Sequence, residues 1–178
     1  MLVEMLRVIL VVALAACATE SAPRHARRVP APSTPAAMRP LLDAHNRYRA
    51  RHCAPPLAWS RELARSAKQW ADSLVAQGCA FGHSGTRHGE NLAAGTEGAL
   101  GPEDAARMWY EEVAKYNFKK GRFSMDTGHF TQVVWKGTQR LGCGTARCKG
   151  LEIFVCQYDP PGNVQGEFPR NVLPTSCR

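Results

Sequence analysis

The stretch of sequence that decides the fold lies in the last third of the chain and reads Gly128-His129-Phe130-Thr131-Gln132-Val133-Val134-Trp135-Lys136-Gly137-Thr138. Its middle, residues 130–135, is rich in aromatic and β-branched side chains and lies between glycines, which predicts a short strand. Two similar runs follow at residues 140–145 and 151–158. The last third of the chain is therefore predicted to be rich in strands.

The residues before this stretch carry helical patterns. Pro40 can open a helix, and the apolar side chains after it keep to one face. Ser60 is a good N-cap for a second helix, in which apolar residues recur every three or four positions. Pro102, with two acidic residues in the next turn, opens a third. The three predicted helices cover residues 40–51, 60–78 and 102–115. Helices followed by strands indicate an α+β domain.

Length and composition indicate one folded domain, because 178 residues with 44% apolar side chains can fill one core. Residues 82–101 follow no period and are predicted to form a long loop. The formal net charge is +8, of which about +5 falls on the domain. This balance favours an anionic lipid or cell-wall polymer as partner. Since no basic stripe with interleaved aromatic residues is present, we do not expect nucleic-acid binding.

The amino-terminal residues have the layout of an export signal. Arg7 precedes the apolar run 8–16, which is too short to span a bilayer and leads to Cys17. Residues 14–17, Leu-Ala-Ala-Cys, resemble a bacterial lipobox, in which the cysteine is acylated and anchors the mature chain in a membrane; alternatively, Cys17 is an ordinary small residue of a signal cut nearby. The predicted segments are a lipoprotein-type signal peptide at 1–16, an Ala/Pro/Arg-rich tether at 17–39 and a domain at 40–178.

The cysteine count fits an exported protein. Of seven cysteines, an acylated Cys17 leaves an even set of six. These six show neither a CxxC pair nor zinc-site spacing, and an oxidising exterior favours disulfides. Three disulfides are predicted, in pairings that spacing alone does not fix.

Two motifs resemble those of a known family. Residues 128–138 closely resemble the first diagnostic motif of the CAP superfamily, the cysteine-rich secretory, antigen 5 and pathogenesis-related 1 proteins, and residues 153–164 resemble the second. Weaker features agree, and the resemblance covers residues 40–178. The weaker features are His45-Asn46 with Arg49, Leu57-Ala58-Trp59-Ser60, His83-Ser84 and Gly89-Glu90-Asn91.

The resemblance implies a three-layer α-β-α sandwich with a central antiparallel sheet, stabilised by disulfides. By the family pattern the disulfides would join Cys79 to Cys143 and Cys148 to Cys156, which leaves Cys53 with Cys177.

It also implies a cleft that holds two histidines and two glutamates. Glu112, rather than the adjacent Glu111, fits the family pattern after Trp109. The four residues carried over by motif are His83, Glu90, Glu112 and His129.

Such a tetrad permits two kinds of site. The two imidazoles could ligate Zn²⁺ or another divalent cation, while Glu90 and Glu112 orient them, ligate, or serve as candidate general bases. The alternative is a hydrogen-bonded quartet without metal. Ser84 is not expected to be a nucleophile, because no nucleophile elbow surrounds it. His88 is expected to be a surface loop residue. No catalytic residue is established by the sequence.

Aromatic residues in the segment before residue 128 are similar in character to the lipid-binding loop of sterol-binding relatives. Tyr116, Phe118 and Phe123 are the candidate ligand-binding residues, although core packing explains the same pattern.

Three functions follow from the sequence as hypotheses. The protein is a secreted or envelope-anchored binder of a lipid, sterol-like molecule or wall component, a metal-dependent hydrolase of peptide or wall polymer, or a non-catalytic structural or interaction domain. Of these we favour the binder, which needs no catalysis.

Overall fold

The structure is a computed structural model that describes residues 33–177. In this part of the chain helices α1 to α5 and strands β1 to β4 form one α+β domain. The helices are α1 (Arg39–Arg51), α2 (Arg61–Ala76), α3 (Pro102–Glu111), α4 (Gly128–Val134) and α5 (Phe168–Asn171). The strands are β1 (Ala58–Trp59), β2 (Gly89–Thr96), β3 (Arg140–Cys148) and β4 (Leu151–Asp159). Short 3₁₀ turns precede α1 (Ala36–Met38) and follow α3 (Glu112–Lys115).

The three predicted helices form where the sequence places them. The Ser60 hydroxyl caps α2 by accepting from the backbone N–H of Leu63 at 3.3 Å. Pro102 stands at the start of α3, and the Asp104 carboxylate accepts from the backbone N–H of Gly101 at 3.0 Å. The predicted third helix changes from α to 3₁₀ geometry at Glu112, a residue of the candidate tetrad.

The strands form one mixed sheet in the order β1-β3-β4-β2. The β2, β3 and β4 pairs are antiparallel, and only the two-residue β1 runs parallel to its neighbour β3. Helix α2 lies on one face of the sheet and α1, α3 and α4 lie on the other, which gives the three layers of the expected sandwich. Side chains alternate between the faces, since Ile153 and Val155 pack on the α2 side while Phe154 and Tyr158 pack on the other.

Helix α2 lies very close to β3 because two glycines leave room for its backbone. A Cβ atom at Gly142 would stand 2.2 Å from the backbone nitrogen of Ala64, and one at Gly144 would stand 2.4 Å from the Cα atom of Lys68. Both distances are shorter than any real contact of a Cβ atom. These glycines therefore set the spacing between helix and sheet.

Two expectations about local structure were wrong. The segment 130–135 is not a strand, because residues 128–134 form α4. All of Phe130 to Val134 are buried, so a short apolar run of this kind does not distinguish a buried strand from a buried helix. The expected loop 82–101 contains β2, an edge strand that pairs with β4 over eight residues. Its alanines and glycines are poor strand formers, and pairing with β4 holds it in place.

The disulfides correct two of the expected pairings. The structure joins Cys143 to Cys156 and Cys79 to Cys148, whereas Cys53 is joined to Cys177 as expected. The reason is the register of the β3–β4 hairpin, in which Cys143 lies directly opposite Cys156 while Cys148 lies opposite Leu151. Cys148, at the end of β3, is instead joined to Cys79, which lies three residues after the end of α2.

The predicted signal peptide, Cys17 and most of the tether fall on residues 1–32, which lie outside the described residues. Within residues 33–177 none of the helices has the length and apolar character that a membrane crossing needs.

Candidate functional site

The structure brings the four residues of the expected tetrad together as two His–Glu pairs. His83 precedes β2, Glu90 lies on β2, Glu112 begins the 3₁₀ turn after α3, and His129 lies in the first turn of α4. His83, Glu90 and His129 line one cavity of about 140 Å³, and Glu112 contacts His129 from behind. Glu111, the alternative carboxylate, is exposed and pairs with Arg107 on the surface.

The first pair is His83 with Glu90. The Glu90 side chain is only 5% exposed, while the imidazole of His83 is 64% exposed. The carboxylate accepts from Nδ1 of His83 at 3.0 Å and from the backbone N–H and hydroxyl of Ser84 at 2.9 and 2.6 Å. The amide of Gln157 on β4 donates a fourth bond at 3.0 Å. Glu90 is therefore a fixed acceptor that holds the ring of His83 at the cavity.

The second pair is His129 with Glu112. One carboxylate oxygen of Glu112 accepts from Nδ1 of His129 at 2.6 Å. The other accepts from the backbone N–H groups of His129 and Phe130 at 3.0 and 3.1 Å, and so satisfies donors that the first turn of α4 leaves free. The indole of Trp109 lies beside the imidazole, with ring centroids 6.4 Å apart. The carboxylate thus fixes both the helix and the histidine that the helix carries.

These contacts determine the proton positions on both rings. An ionised carboxylate can only accept, so Nδ1 of His83 and Nδ1 of His129 each carry a proton. In the neutral ring Nε2 then has the free lone pair, which is the arrangement of histidines that ligate metals. Across residues 33–177 no three His, Cys, Asp or Glu side chains lie close enough to hold a metal ion together. Two imidazole nitrogens are donors that suit a divalent cation only when water or a ligand group completes its coordination.

Two further cavities adjoin the His–Glu cavity. One of about 360 Å³ shares His129 and is mainly apolar, with Phe81, Met108 and Trp109 in its wall. Another of about 590 Å³ shares Phe123 and Asn163. We refer to the three together as the cleft. It places an apolar space directly beside the imidazole of His129.

Of the three aromatic residues expected to bind ligand, only Phe123 lines the cleft. Tyr116 is buried and packs edge-on against Phe118 and beside Phe130, so it belongs to the core, and Phe118 packs against the same core. For Tyr116 and Phe118 these contacts favour the alternative of core packing. Phe123 is 48% exposed.

His88 differs from the expected surface residue. Its side chain is only 17% exposed, and its Nδ1 atom lies 3.9 Å from a carboxylate oxygen of Asp159. It stands one residue before β2 and does not line the His–Glu cavity.

Several residues that support the site were not predicted from the sequence. Gln157 and Ser84 hold Glu90, although both lie inside motifs that the resemblance had singled out. Asn163 accepts from the hydroxyl of Thr131 at 2.6 Å and donates to the carbonyl of Gly128 at 2.9 Å, which ties the segment after β4 to α4. Phe81 and Met108 carried no helical or strand pattern that marked them as cleft residues.

A buried polar network lies beneath the site. Burial lowers the pKa of His45 to about 4, so at neutral pH its ring is uncharged. The carbonyl of Leu41 accepts from Nδ1 at 2.8 Å, and Nε2 accepts from the hydroxyl of Tyr158, also at 2.8 Å. The amide of Asn91 donates to that hydroxyl at 3.2 Å and to the carbonyl of His129 at 3.1 Å. The network connects α1 to the helix that carries His129.

Comparisons with known proteins agree with this geometry. The profile of the cysteine-rich secretory protein family (CAP) matches residues 42–158. Secreted protein RBT4 of Candida albicans is 44% identical over 137 residues, which cover 73% of this chain and 36% of RBT4. The human Golgi-associated plant pathogenesis-related protein 1 is 42% identical over 141 residues, covering 75% and 90% of the two chains.

Among solved structures, that of NaASP2 with Zn²⁺ superposes with a TM-score of 0.60 at 25% identity and covers 78% of this chain and 86% of NaASP2. The chain spans 36% to 52% of the length of the fungal relatives that it matches. The matched profile, the human relative and the shared fold agree, and the chain belongs to the cysteine-rich secretory protein (CAP) family.

Proposed function

We propose that this domain is a secreted, non-catalytic binding protein that holds a small amphiphilic molecule of the lipid or sterol type in its cleft. The observation that carries the proposal is the position of the His129–Glu112 pair in the wall of a mainly apolar cavity, which adjoins the smaller cavity of His83 and Glu90. The polar group of the ligand would meet the imidazoles of His83 and His129, and its apolar body would lie against Phe81, Met108 and Trp109.

The same contacts favour binding over hydrolysis. A general base needs a free lone pair directed at the water it activates. Glu90 already accepts four hydrogen bonds and Glu112 accepts three. Both carboxylates are thus occupied in positioning. The metal-dependent hydrolase therefore remains the weaker proposal, and metal-dependent turnover of a peptide or wall polymer would favour it.

A divalent cation such as Zn²⁺ fits the two imidazoles. His83 and His129 would ligate through Nε2, with Glu90 and Glu112 as the carboxylates behind them. Bound there, the cation would supply a Lewis acid that attracts an anionic or hydroxyl group of the ligand. The Zn²⁺ in the NaASP2 structure supports this choice of cation. Because only two protein side chains would ligate the cation, the affinity of this site for Zn²⁺ should be well below that of a structural zinc site with four protein ligands.

Secretion is supported by the disulfides and by the name of one relative. The three disulfides need an oxidising compartment, and the name of the relative RBT4 describes it as secreted. Acylation of Cys17 is a further proposal, and the fungal, human and plant origin of the relatives lends it no support. Intact mass of the native protein tests it, because an acylated amino terminus adds the mass of its lipid.

The ligand proposal is tested by titrating the chain with a fluorescent sterol and with a soluble wall-polymer fragment. Met108→Glu places a charge in the apolar cavity and should weaken sterol binding at least about tenfold, since a buried carboxylate is unfavourable. Leu151→Glu is the matched control, because Leu151 is similarly exposed (40% against 44%) and lies outside that cavity. Equal sterol affinities of the two variants, or binding of the wall fragment alone, would refute the proposal. A purely structural domain would bind neither.

A further inference from the structure

Four large apolar side chains stand exposed around the cleft. The exposed fractions are 60% for Phe81, 44% for Met108, 48% for Phe123 and 83% for Met125. Phe81 and Met108 line the apolar cavity, whereas Phe123 and Met125 line the His–Glu cavity, and the two cavities adjoin at His129. Exposed apolar side chains that are scattered singly need no explanation, but a group around one opening indicates a contact surface. We call these four side chains the cleft rim.

A cationic segment lies beside the cleft rim. Lys119, Lys120 and Arg122 are exposed, and none of them forms an ion pair with another residue of the described part of the chain. The side chain of Asn117 accepts from the backbone N–H groups of Lys119 and Lys120 at 3.1 and 3.0 Å, which orders the turn that carries them. Arg122 and Phe123 line the same cavity. Cations and apolar side chains therefore share one edge of the cleft.

We propose that the cleft rim docks the domain on the surface of an anionic lipid bilayer. The cations would be attracted by the negative surface potential of the headgroups. Phe123 and Met125 would enter the boundary between headgroups and acyl chains, where their apolar surface leaves water. Segment 115–126 has four cationic residues and one acidic residue, Asp126, so its charge complements such a surface.

A second copy of this chain fits the cleft rim less well. A two-fold dimer brings the same patch of both protomers together, so residue i of one faces the neighbourhood of residue i of the other. Lys119, Lys120 and Arg122 of two copies would then crowd together without a matching acidic patch. An anionic bilayer satisfies the charges and the apolar side chains together.

Docking would turn the opening of the cleft toward the membrane. A lipid or sterol could then pass between bilayer and cleft without crossing water. This consequence rests on the proposed function, whereas docking itself rests only on the exposed side chains. Docking is also independent of any anchor at Cys17, because the cleft rim belongs to the folded domain.

The experiment is co-sedimentation of the secreted chain with vesicles of phosphatidylserine and, separately, of phosphatidylcholine. Cys17→Ser is introduced throughout, so that no acyl anchor contributes. The parent should sediment with the anionic vesicles. Phe123→Ser combined with Met125→Ser should lower partitioning about tenfold or more. The control Leu151→Ser removes an apolar side chain of 40% exposure that lies outside the cleft rim, and it should leave partitioning unchanged.

The charge contribution is tested with Lys119→Glu combined with Lys120→Glu. Partitioning onto anionic vesicles should fall about tenfold or more, and titration with the soluble fluorescent sterol should not change. Arg61→Glu combined with Arg65→Glu, two exposed charge reversals on α2, is the matched control. A parent that does not sediment, or rim and lysine variants that sediment like the parent, would overturn docking. Docking would also be overturned by a parent that does not bind vesicles but forms a dimer that Phe123→Ser dissociates. A parent that docks on the vesicles but binds no sterol would refute only the proposed function.

Discussion

Glu112→Gln should weaken cation binding at His129 without removing the histidine. In the parent, one oxygen of Glu112 accepts from Nδ1 of His129 at 2.6 Å, and the other accepts from the backbone N–H groups of His129 and Phe130. A glutamine can present an oxygen on only one side. If its NH₂ group faces the ring, Nδ1 must become the acceptor, and the proton moves to Nε2. If the NH₂ group faces the helix, two backbone donors lose their acceptor.

Both orientations of the glutamine carry a measurable loss. Loss of a carboxylate behind a metal-ligating histidine typically weakens metal affinity about 10- to 100-fold, and this is the effect expected on the zinc dissociation constant. The free energy of unfolding should fall by about 1 to 3 kcal/mol, because charge-assisted hydrogen bonds at the start of α4 are lost.

Isothermal titration calorimetry with Zn²⁺ near neutral pH measures the affinity, and ¹⁵N NMR of the His129 side chain identifies which nitrogen carries the proton. The matched control is Glu111→Gln, one residue away, where the side chain is 61% exposed and pairs with Arg107 at 2.9 Å. It should leave the zinc affinity unchanged and stability within about 0.5 kcal/mol. Equal zinc affinities for the two variants would refute the orienting role of Glu112. A parent that binds no zinc would refute the cation site itself.

Three further predictions concern the fold that carries the site. Arg49→Met should lower the free energy of unfolding, measured in urea titrations, by about 4 kcal/mol or more. The reason is that four main-chain carbonyls, at 2.8 to 3.0 Å from the guanidinium nitrogens, lose their donor. A loss below about 1 kcal/mol would contradict this reason. Gly144→Ala should lower the free energy of unfolding by about 2 kcal/mol in thermal unfolding, because its Cβ would clash with Lys68. Gly82→Ala is the control and should lower it far less, since nothing lies within reach of a Cβ at Gly82. Equal losses for the two variants would refute the steric argument. The pKa of His45 in the folded state, about 4, lies below its ordinary value of 6.5, so the unfolded chain binds the proton first as the pH falls. The free energy of unfolding should therefore decrease by about 3 kcal/mol as the pH falls from about 6.5 toward 4. His45→Gln should flatten this pH dependence, and an equally steep profile in the variant would assign it to other groups.

The parts of the fold that the sequence predicts well are those whose signals are local. Helix α2 is the clearest case, because a capping serine opens it and its apolar side chains recur at helical spacing. The buried residues of α2 are Leu63, Ala67, Ala71 and Leu74, which recur at this spacing of three or four positions.

The parts that the sequence predicts wrongly depend on distant partners. Residues 128–134 become helical with their first N–H groups held by Glu112, a residue 17 positions earlier. The strand β2 is defined by its pairing with β4, some 60 residues later, rather than by its own small side chains. The cross-strand pair Cys143 and Cys156 likewise depends on the hairpin register, which cysteine spacing does not encode.

The site required a different kind of information. Its four residues are spread from residue 83 to residue 129 on separate elements, and only the resemblance to a family indicated that they meet. The resemblance did not indicate that Gln157 and Ser84 would occupy the remaining acceptor sites of Glu90. These contacts are the reason that binding is proposed rather than catalysis, and they follow only from the packed structure.

The proposed amphiphilic ligand would occupy the cleft with its polar group at the two His–Glu pairs. The most direct test is NMR of the histidine ring Cε1–H signals during titration with a soluble sterol. The signals of His83 and His129 should shift together to saturation, while that of His88, outside the His–Glu cavity, stays in place. Unchanged signals of His83 and His129 at saturating sterol would contradict the claim.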